Sequence, residues 1–198
     1  MSTATAGKLR GAGNTRRQVL DTALRLFTQD GFFNTSVHDI ARASGVSVGS
    51  IYHHFKDKEG IARALYADLV ERMVAALEAV ERGHPDTAGR CRAIVAMLFE
   101  LTEDEPETME FMIYAKHREF LPGESPVCSS RPFTMMREMI SAGMARGEVR
   151  SMDPMVASTS VFGGPIRMIT ARLDGVIDRP LPEFLDEVWD CSWRAVAS

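Results

Sequence analysis

SVHDIARASGVSVGSIYHHF, residues 36–55, holds two short helical patterns with a sharp turn between them. Ser36 is an N-cap residue and Asp39 stands three positions on, the spacing of a capping box. Val37, Ile40 and Ala41 give the first helix one apolar face. Gly45 supplies the backbone freedom that a reversal needs, and Val46 packs beneath it. Ser47 caps a second helix, on which Ile51 and Phe55, four apart, face inward. The outward side carries Gly49, Ser50 and His53, flanked by Val48 and Tyr52. Two helices joined this tightly form a helix-turn-helix, whose second helix normally enters the DNA major groove.

Working outward, Leu20, Ala23, Leu24 and Phe27 repeat at i, i+3, i+4 and i+7 and predict a helix over 15–30, ended by Gly31. Residues 1–13 are rich in Gly, Ala, Ser and Thr and read as a flexible arm. Lys8 and Arg10 lie there, with Arg16 and Arg17 at the start of the helix. A solvated tail and a phosphate-contacting arm fit that pattern equally. On the other side Asp57 caps a long helix whose Ile61, Leu65, Leu69 and Met73 form a stripe running to about 81. The division is thus an arm (1–13), a helix-turn-helix head (14–60) and a larger body (61–198). Net charge, −4 overall, follows the same division: residues 1–63 hold nine Lys/Arg against five Asp/Glu, and 64–198 hold fourteen against twenty-two. A basic head on an acidic body suits DNA binding by one end only.

With these residues in view, the run RLFTQDGFFNTSVHDIARASGVSVGSIYHHFKDKEGIARAL, residues 25–65, resembles the DNA-binding head of the TetR (tetracycline-repressor) family. The features that carry the resemblance are Leu26-Phe27, Gly31-Phe32, Thr35, Ile40-Ala41, Gly45-Val46, Ser47, Ile51-Tyr52-His53-His54-Phe55 and Lys58. It covers about residues 10–70 and does not extend at motif level into 80–198. For that part the resemblance implies a helical effector-binding and dimerisation body, and hence an all-α protein of about nine helices. The small residues Gly49 and Ser50 before Tyr52 are less typical of the family.

DNA-facing roles follow from position. Tyr52 is expected to place its hydroxyl on a phosphate, as the family position implies. His53 points outward toward a phosphate or a base edge, while His54 lies nearer the core. Lys58, in the first turn of the long helix, is opposed by the helix dipole and is expected to pair with a phosphate. Thr35, Ser36 and Ser47 suit capping and phosphate contact together. Arg16 opens the first helix, and His38 and Arg42 project toward the groove edge. Base reading falls to Val48, Gly49, Ser50 and His53, with few bidentate donors among them.

The body opens after the loop at 81–86. A helix over 87–103 carries Cys91, Ile94, Val95, Leu98 and Leu101, with Met97 beside them, and Glu103, Asp104 and Glu105 close it as a solvated turn. A helix over 107–120 is apolar nearly all round, which implies burial. Lys116 shares its Met109–Met112–Ile113–Phe120 face, with His117 at the edge. Either Lys116 faces a wet pocket or it snorkels outward. A third helix over 131–146 presents Phe133, Met136, Met139, Ile140 and Met144. Asp153 and Pro154 start a fourth, with Met155, Thr159, Phe162, Ile166, Ile169 and Leu173 as a seam and Pro165 as a break. The last, over 182–196, carries Phe184, Val188 and Cys191 on one side. Phe162, Ile166 and Ile169 with Phe184, Val188 and Cys191 are the expected homodimer interface.

Ten of the twelve methionines fall between 97 and 168. Methionine fits irregular apolar shapes, so an effector pocket and an ordinary Met-rich core both suit this enrichment, and the resemblance favours the pocket. Met73, Met97, Leu101 and Met112 are expected to line it. Lys116, His117, Met136, Met139 and Phe162 complete the candidate set. The effector expected there is small and hydrophobic or aromatic. No HExxH, GxSxG or P-loop pattern occurs, so no catalytic residue is assigned. The three cysteines, Cys91, Cys128 and Cys191, are widely spaced and suggest reduced thiols without a metal site, in the cytoplasm. No cofactor and no membrane segment are expected. The resulting reading is a ligand-responsive dimeric repressor on a palindromic double-stranded operator. A helical small-molecule-binding protein or enzyme with a vestigial head is the alternative.

Overall fold

The structure is a computed structural model that describes the backbone of residues 3–114 and 129–198 and the side chains of 14–114 and 129–198. Among these residues there are nine α-helices and no strand. They are α1 (Thr3–Gln29), α2 (Val37–Ser44), α3 (Val48–Phe55), α4 (Lys58–Gly83), α5 (Thr87–Asp104), α6 (Pro106–Tyr114), α7 (Arg131–Ala145), α8 (Pro154–Leu173) and α9 (Leu185–Arg194). A 3-10 turn, Leu181–Phe184, precedes α9. The backbone of α1 is helical from Thr3, well before the start near 15 that its apolar repeat marks. At the other end of the chain, the helix expected over 182–196 is shorter. Pro180 and Pro182 hold its opening turn in the tighter 3-10 form. The 115–120 end of the helix expected over 107–120 lies outside the described residues.

Among the described residues there are two compact units, one of the residues through Leu69 with Tyr114, the other of Val70–Ile113 and 129–198. In the first, Val19, Leu20, Ala23 and Phe27 of α1 are buried with Ile40 of α2, Ile51 and Phe55 of α3, and Ile61 and Leu65 of α4. Most of these are the residues at helical spacing in the sequence; on α1, Val19 joins the core and Leu24 of the expected repeat is only half-buried. Polar ties fix the angles between helices. The Gln18 side chain donates to the Ser44 carbonyl across 2.6 Å, joining α1 to the end of α2.

In the second unit Leu77, Cys91, Ile94, Val95, Phe99, Ile140, Val161 and Ile169 form the centre of one core. Burial pushes the Cys91 thiol up to about 12, so it is a packed apolar group and not a nucleophile. The acidic end of α5, read as a solvated turn, is instead two fasteners. Glu103 accepts from Arg172 at 2.9 Å and from the Leu181 backbone N–H at 3.0 Å. Glu105 accepts from Arg72 at 2.6 Å. The guanidinium of Arg172 holds the Glu103 carboxyl below the usual carboxylate range. At its other end α5 meets α7 closely: a Cβ on Gly143 would lie 2.6 Å from the Thr87 Oγ1. Arg146 bridges Thr87 and Glu148 there, donating to each, and Glu148 also accepts from the Thr87 N–H at 2.6 Å.

Candidate DNA-reading face and apolar cavity

The face of α3 is positioned by caps. Ser36 and Asp39 form a complete capping box: the Asp39 N–H donates to Ser36 Oγ at 3.2 Å and the Ser36 N–H to the Asp39 carboxylate at 3.0 Å. The Ser36 hydroxyl bond is the chief reason the Asp39 carboxyl sits below its ordinary range. Gly45 ends α2 at φ 70°, in the left-handed region, and its N–H returns to the Ala41 carbonyl at 2.9 Å. Ser47 then accepts from the Ser50 N–H at 3.2 Å to start α3. Behind α3, Lys56 adopts φ 69°, and the Asp57 N–H reaches the Phe55 carbonyl at 2.8 Å, a strained γ-turn. Asp57 caps α4 through the Gly60 N–H at 2.6 Å. A Cβ on Gly60 would lie 1.9 Å from the Phe55 carbonyl oxygen, so no other residue fits that corner.

This framing exposes Gly49, Tyr52 and His53 and leaves Val48 and Ser50 half-buried. A side chain added at Gly49 would meet nothing within 4 Å. Tyr52 is 48% exposed. His53 and His54 stand edge to face at 5.5 Å, with His54 leaning toward Phe55. Ser36, Ser47 and His38 are exposed beside them. Arg16 is exposed at 3.9 Å from Asp68, and Arg42 pairs with Asp39.

Two expected phosphate ligands are engaged elsewhere. Thr35 is 3% exposed, and its hydroxyl donates to the Gly31 carbonyl at 2.9 Å, closing the α1–α2 turn from inside. The ammonium of Lys58 donates to the Phe32 carbonyl at 2.8 Å and sits 4.2 Å above the Phe32 ring. The dipole argument for a compensating partner holds, but the partner is within the chain.

In the second unit a cavity of about 310 Å³ is lined by Met73, Leu98, Met109, Met112, Ile113, Pro132, Phe133, Met136, Ile166 and Ile169. Of the candidate pocket residues, Met73, Met112 and Met136 line it. Met97 and Leu101 pack half-buried against the core, and Met139 and Phe162 are inside the core itself. Lys116 and His117 lie outside the described residues, as does Cys128. Leu98, Met109 and Ile113 were not in the set although 109, 112 and 113 share one helical face. Their spacing marks burial, and burial alone does not separate a cavity wall from a solid core.

The expected dimer seam divides. Phe162 (2% exposed) and Ile169 (0%) are buried in their own chain and present no surface to a partner. Ile166 belongs to the cavity wall. Phe184 and Val188 are half-buried and Cys191 is exposed. The heptad-like spacing on α8 thus splits: Phe162 and Ile169 are covered within the same chain, while Met155 and Thr159 at its start are exposed. Among the described residues no group of His, Cys, Asp and Glu could hold a metal, and no helix is long and apolar enough to cross a membrane.

Comparison with known proteins follows the same two-part division. Residues 19–65 match the family model for bacterial regulatory proteins of the tetR family, and residues 66–198 match that of the tetracyclin repressor-like C-terminal domain. The transcriptional regulator AcrR of Shigella flexneri is 46% identical over 67 residues, which are 34% of this chain and 31% of that protein, so the chain spans about a third of its length. The transcriptional regulator BetI of Cronobacter sakazakii is 28% identical over 171 residues, 79% of this chain and 85% of that protein. The crystal structure of the regulator FadR from Bacillus subtilis, in complex with stearoyl-CoA, superposes with a TM-score of 0.74 at 19% identity. The match covers 89% of this chain and 96% of that one.

Proposed function

This chain belongs to the TetR family of bacterial transcription regulators, and from that premise we propose that it is a dimeric repressor, released from a near-palindromic operator by a small apolar effector. The observation that carries the reading is the α3 face, held by caps at both ends of the α2–α3 turn and bearing only small, hydroxyl and imidazole groups outward. Val48, Gly49, Ser50 and His53 would meet base edges at close approach. Tyr52, Ser36, Ser47, His38 and Arg16 would meet phosphates. Thr35 and Lys58 would support that face from behind. Residues 1–13 would add an arm and 14–60 the head, which the start of α4 through Leu69 completes, with the rest of the chain taking effector and partner, all in the cytoplasm beside the DNA.

A homodimer would present two such faces about one DNA turn apart. Its contact would use the parts of α8 and α9 that remain open, including Met155, Val156 and Cys191, which are exposed. The apolar cavity supports an apolar effector or effector portion, and the stearoyl-CoA named for the Bacillus subtilis protein carries such a portion in its acyl chain. Effector binding would shift the population toward a body conformation in which α4 carries the heads out of register. The test is selection from a random duplex pool at low salt, followed by footprinting. The expected result is an inverted repeat with half-sites one turn apart. Failure to enrich any duplex overturns the reading.

A further inference from the structure

We infer that the part of the effector inside the cavity is an uncharged aliphatic chain of up to about a dozen carbons, held by packing and without a hydrogen bond to the protein. This rests on the reading of the cavity as the effector site. The ten described residues that line it are four methionines, three isoleucines, Leu98, Pro132 and Phe133. An ionised group placed among them would lose its hydration with nothing to replace it. A volume of about 310 Å³ is at the small end of ligand pockets and, at protein packing density, holds roughly a dozen carbon atoms. Methionine adapts to a flexible chain, whereas the single ring of Phe133 gives no pair of planes to clamp a flat guest.

Polar side chains next to the wall in sequence are already bonded within the chain. Arg72, beside Met73, donates to the Glu105 carboxylate at 2.6 and 2.9 Å. Thr108, beside Met109, donates to the same carboxylate at 3.0 Å. Thr170, beside Ile169, donates to the Ile166 carbonyl at 3.1 Å. A guest hydroxyl or carboxylate seeking one of these groups would have to break a bond the fold already makes, which cancels the gain. Charge on α6 acts the same way. Burial, together with the charge of Glu107, holds the Glu110 carboxyl above the usual carboxylate range. A further negative charge brought to the Met109–Met112 face would meet the same lack of hydration and the same repulsion. A hydrocarbon chain meets neither cost and gains the full burial of its surface.

The experiment equilibrates the full chain with n-octane vapour and measures uptake by headspace gas chromatography, other guests being read by the octane they release. From hexane to dodecane each added methylene is expected to tighten binding about fourfold, and hexadecane should bind no tighter than dodecane. The alcohol 5-nonanol, whose hydroxyl lies mid-chain, should bind at least about tenfold more weakly than n-nonane. Sodium nonanoate, followed directly by titration calorimetry, should also bind more weakly than n-nonane. Met136→Trp, and independently Ile113→Trp, should abolish octane uptake in chains whose thermal unfolding stays cooperative. Binding of 5-nonanol or nonanoate as tight as that of nonane overturns the uncharged, bond-free contact. A gain that continues to hexadecane overturns the size limit. Octane uptake that survives both tryptophans puts the chain elsewhere and overturns the inference. If neither octane nor nonanoate binds, the effector reading of the cavity falls and this inference with it.

Discussion

Lys58 and Tyr52 separate two kinds of residue that a DNA-binding surface needs. The Lys58 ammonium is held by the Phe32 carbonyl and ring, so it pins the start of α4 to the α1–α2 turn. Replacing it with methionine removes a charged hydrogen bond and a cation–π contact. The expected loss is about 1–2 kcal/mol of head stability, visible as an earlier urea midpoint. Tyr52 is 48% exposed, and Tyr52→Phe should leave that midpoint in place. It should weaken operator binding by about five- to tenfold, the scale of one hydrogen bond, as measured by fluorescence anisotropy. An unchanged affinity would remove Tyr52 from the interface. Thr35 belongs with Lys58: its hydroxyl faces inward, and a threonine beside a capping serine gives no hint in sequence of which one turns to solvent.

At the scale of elements, the α3–α4 corner is the least tolerant place in the head. Gly60→Ala drives a methyl group into the Phe55 carbonyl. The backbone must shift, costing at least about 2 kcal/mol and moving α3, so stability and operator binding should fall together in the same titrations. The α5–α7 junction responds to acid. Hydrogen bonds from Arg146 and then Thr87 hold the Glu148 carboxyl at about 2, below the ordinary 4.5. The folded chain therefore binds fewer protons than the unfolded one between those values. The stability Glu148 contributes is full above about 4.5 and is lost as pH falls toward 2. Glu148→Gln should flatten that limb of the acid-unfolding curve followed by circular dichroism. Caps and long-range ties show what a sequence can and cannot disclose. The capping box, the Gly45 turn and the Ser47 cap span three or four residues each, so α2 and α3 could be read directly from 36–55. The Glu103–Arg172 and Glu105–Arg72 ties join residues 69 and 33 positions apart. A solvated acidic turn and a double fastener look identical until the chain has folded.

For the whole molecule, surface and interior make separate demands. Met155, Val156 and Val176 are 54%, 57% and 75% exposed, and sedimentation velocity is expected to give a dimer that Val156→Asp shifts toward monomer. Inside, Met136→Trp should fill part of the cavity, abolish uptake of an apolar fluorescent dye and leave operator binding intact. The Phe162–Ile169 part of the α8 seam was legible as apolar but not as internal, because spacing encodes a face and not its neighbour. The close approach of Gly143 to Thr87 has a mechanical consequence. With no side chain between them and Arg146 bridging the junction, α5 and α7 act as one stiff plate. Leu98, Pro132, Phe133 and Met136 are the cavity wall on that plate. A guest larger than the resting volume must find its room at the remaining walls, Met73 of α4, Met109, Met112 and Ile113 of α6, and Ile166 and Ile169 of α8. The cavity therefore swells away from that plate, and amide exchange on effector binding should quicken along α6, the shortest of the other walls, while the α5–α7 junction stays as slow as before.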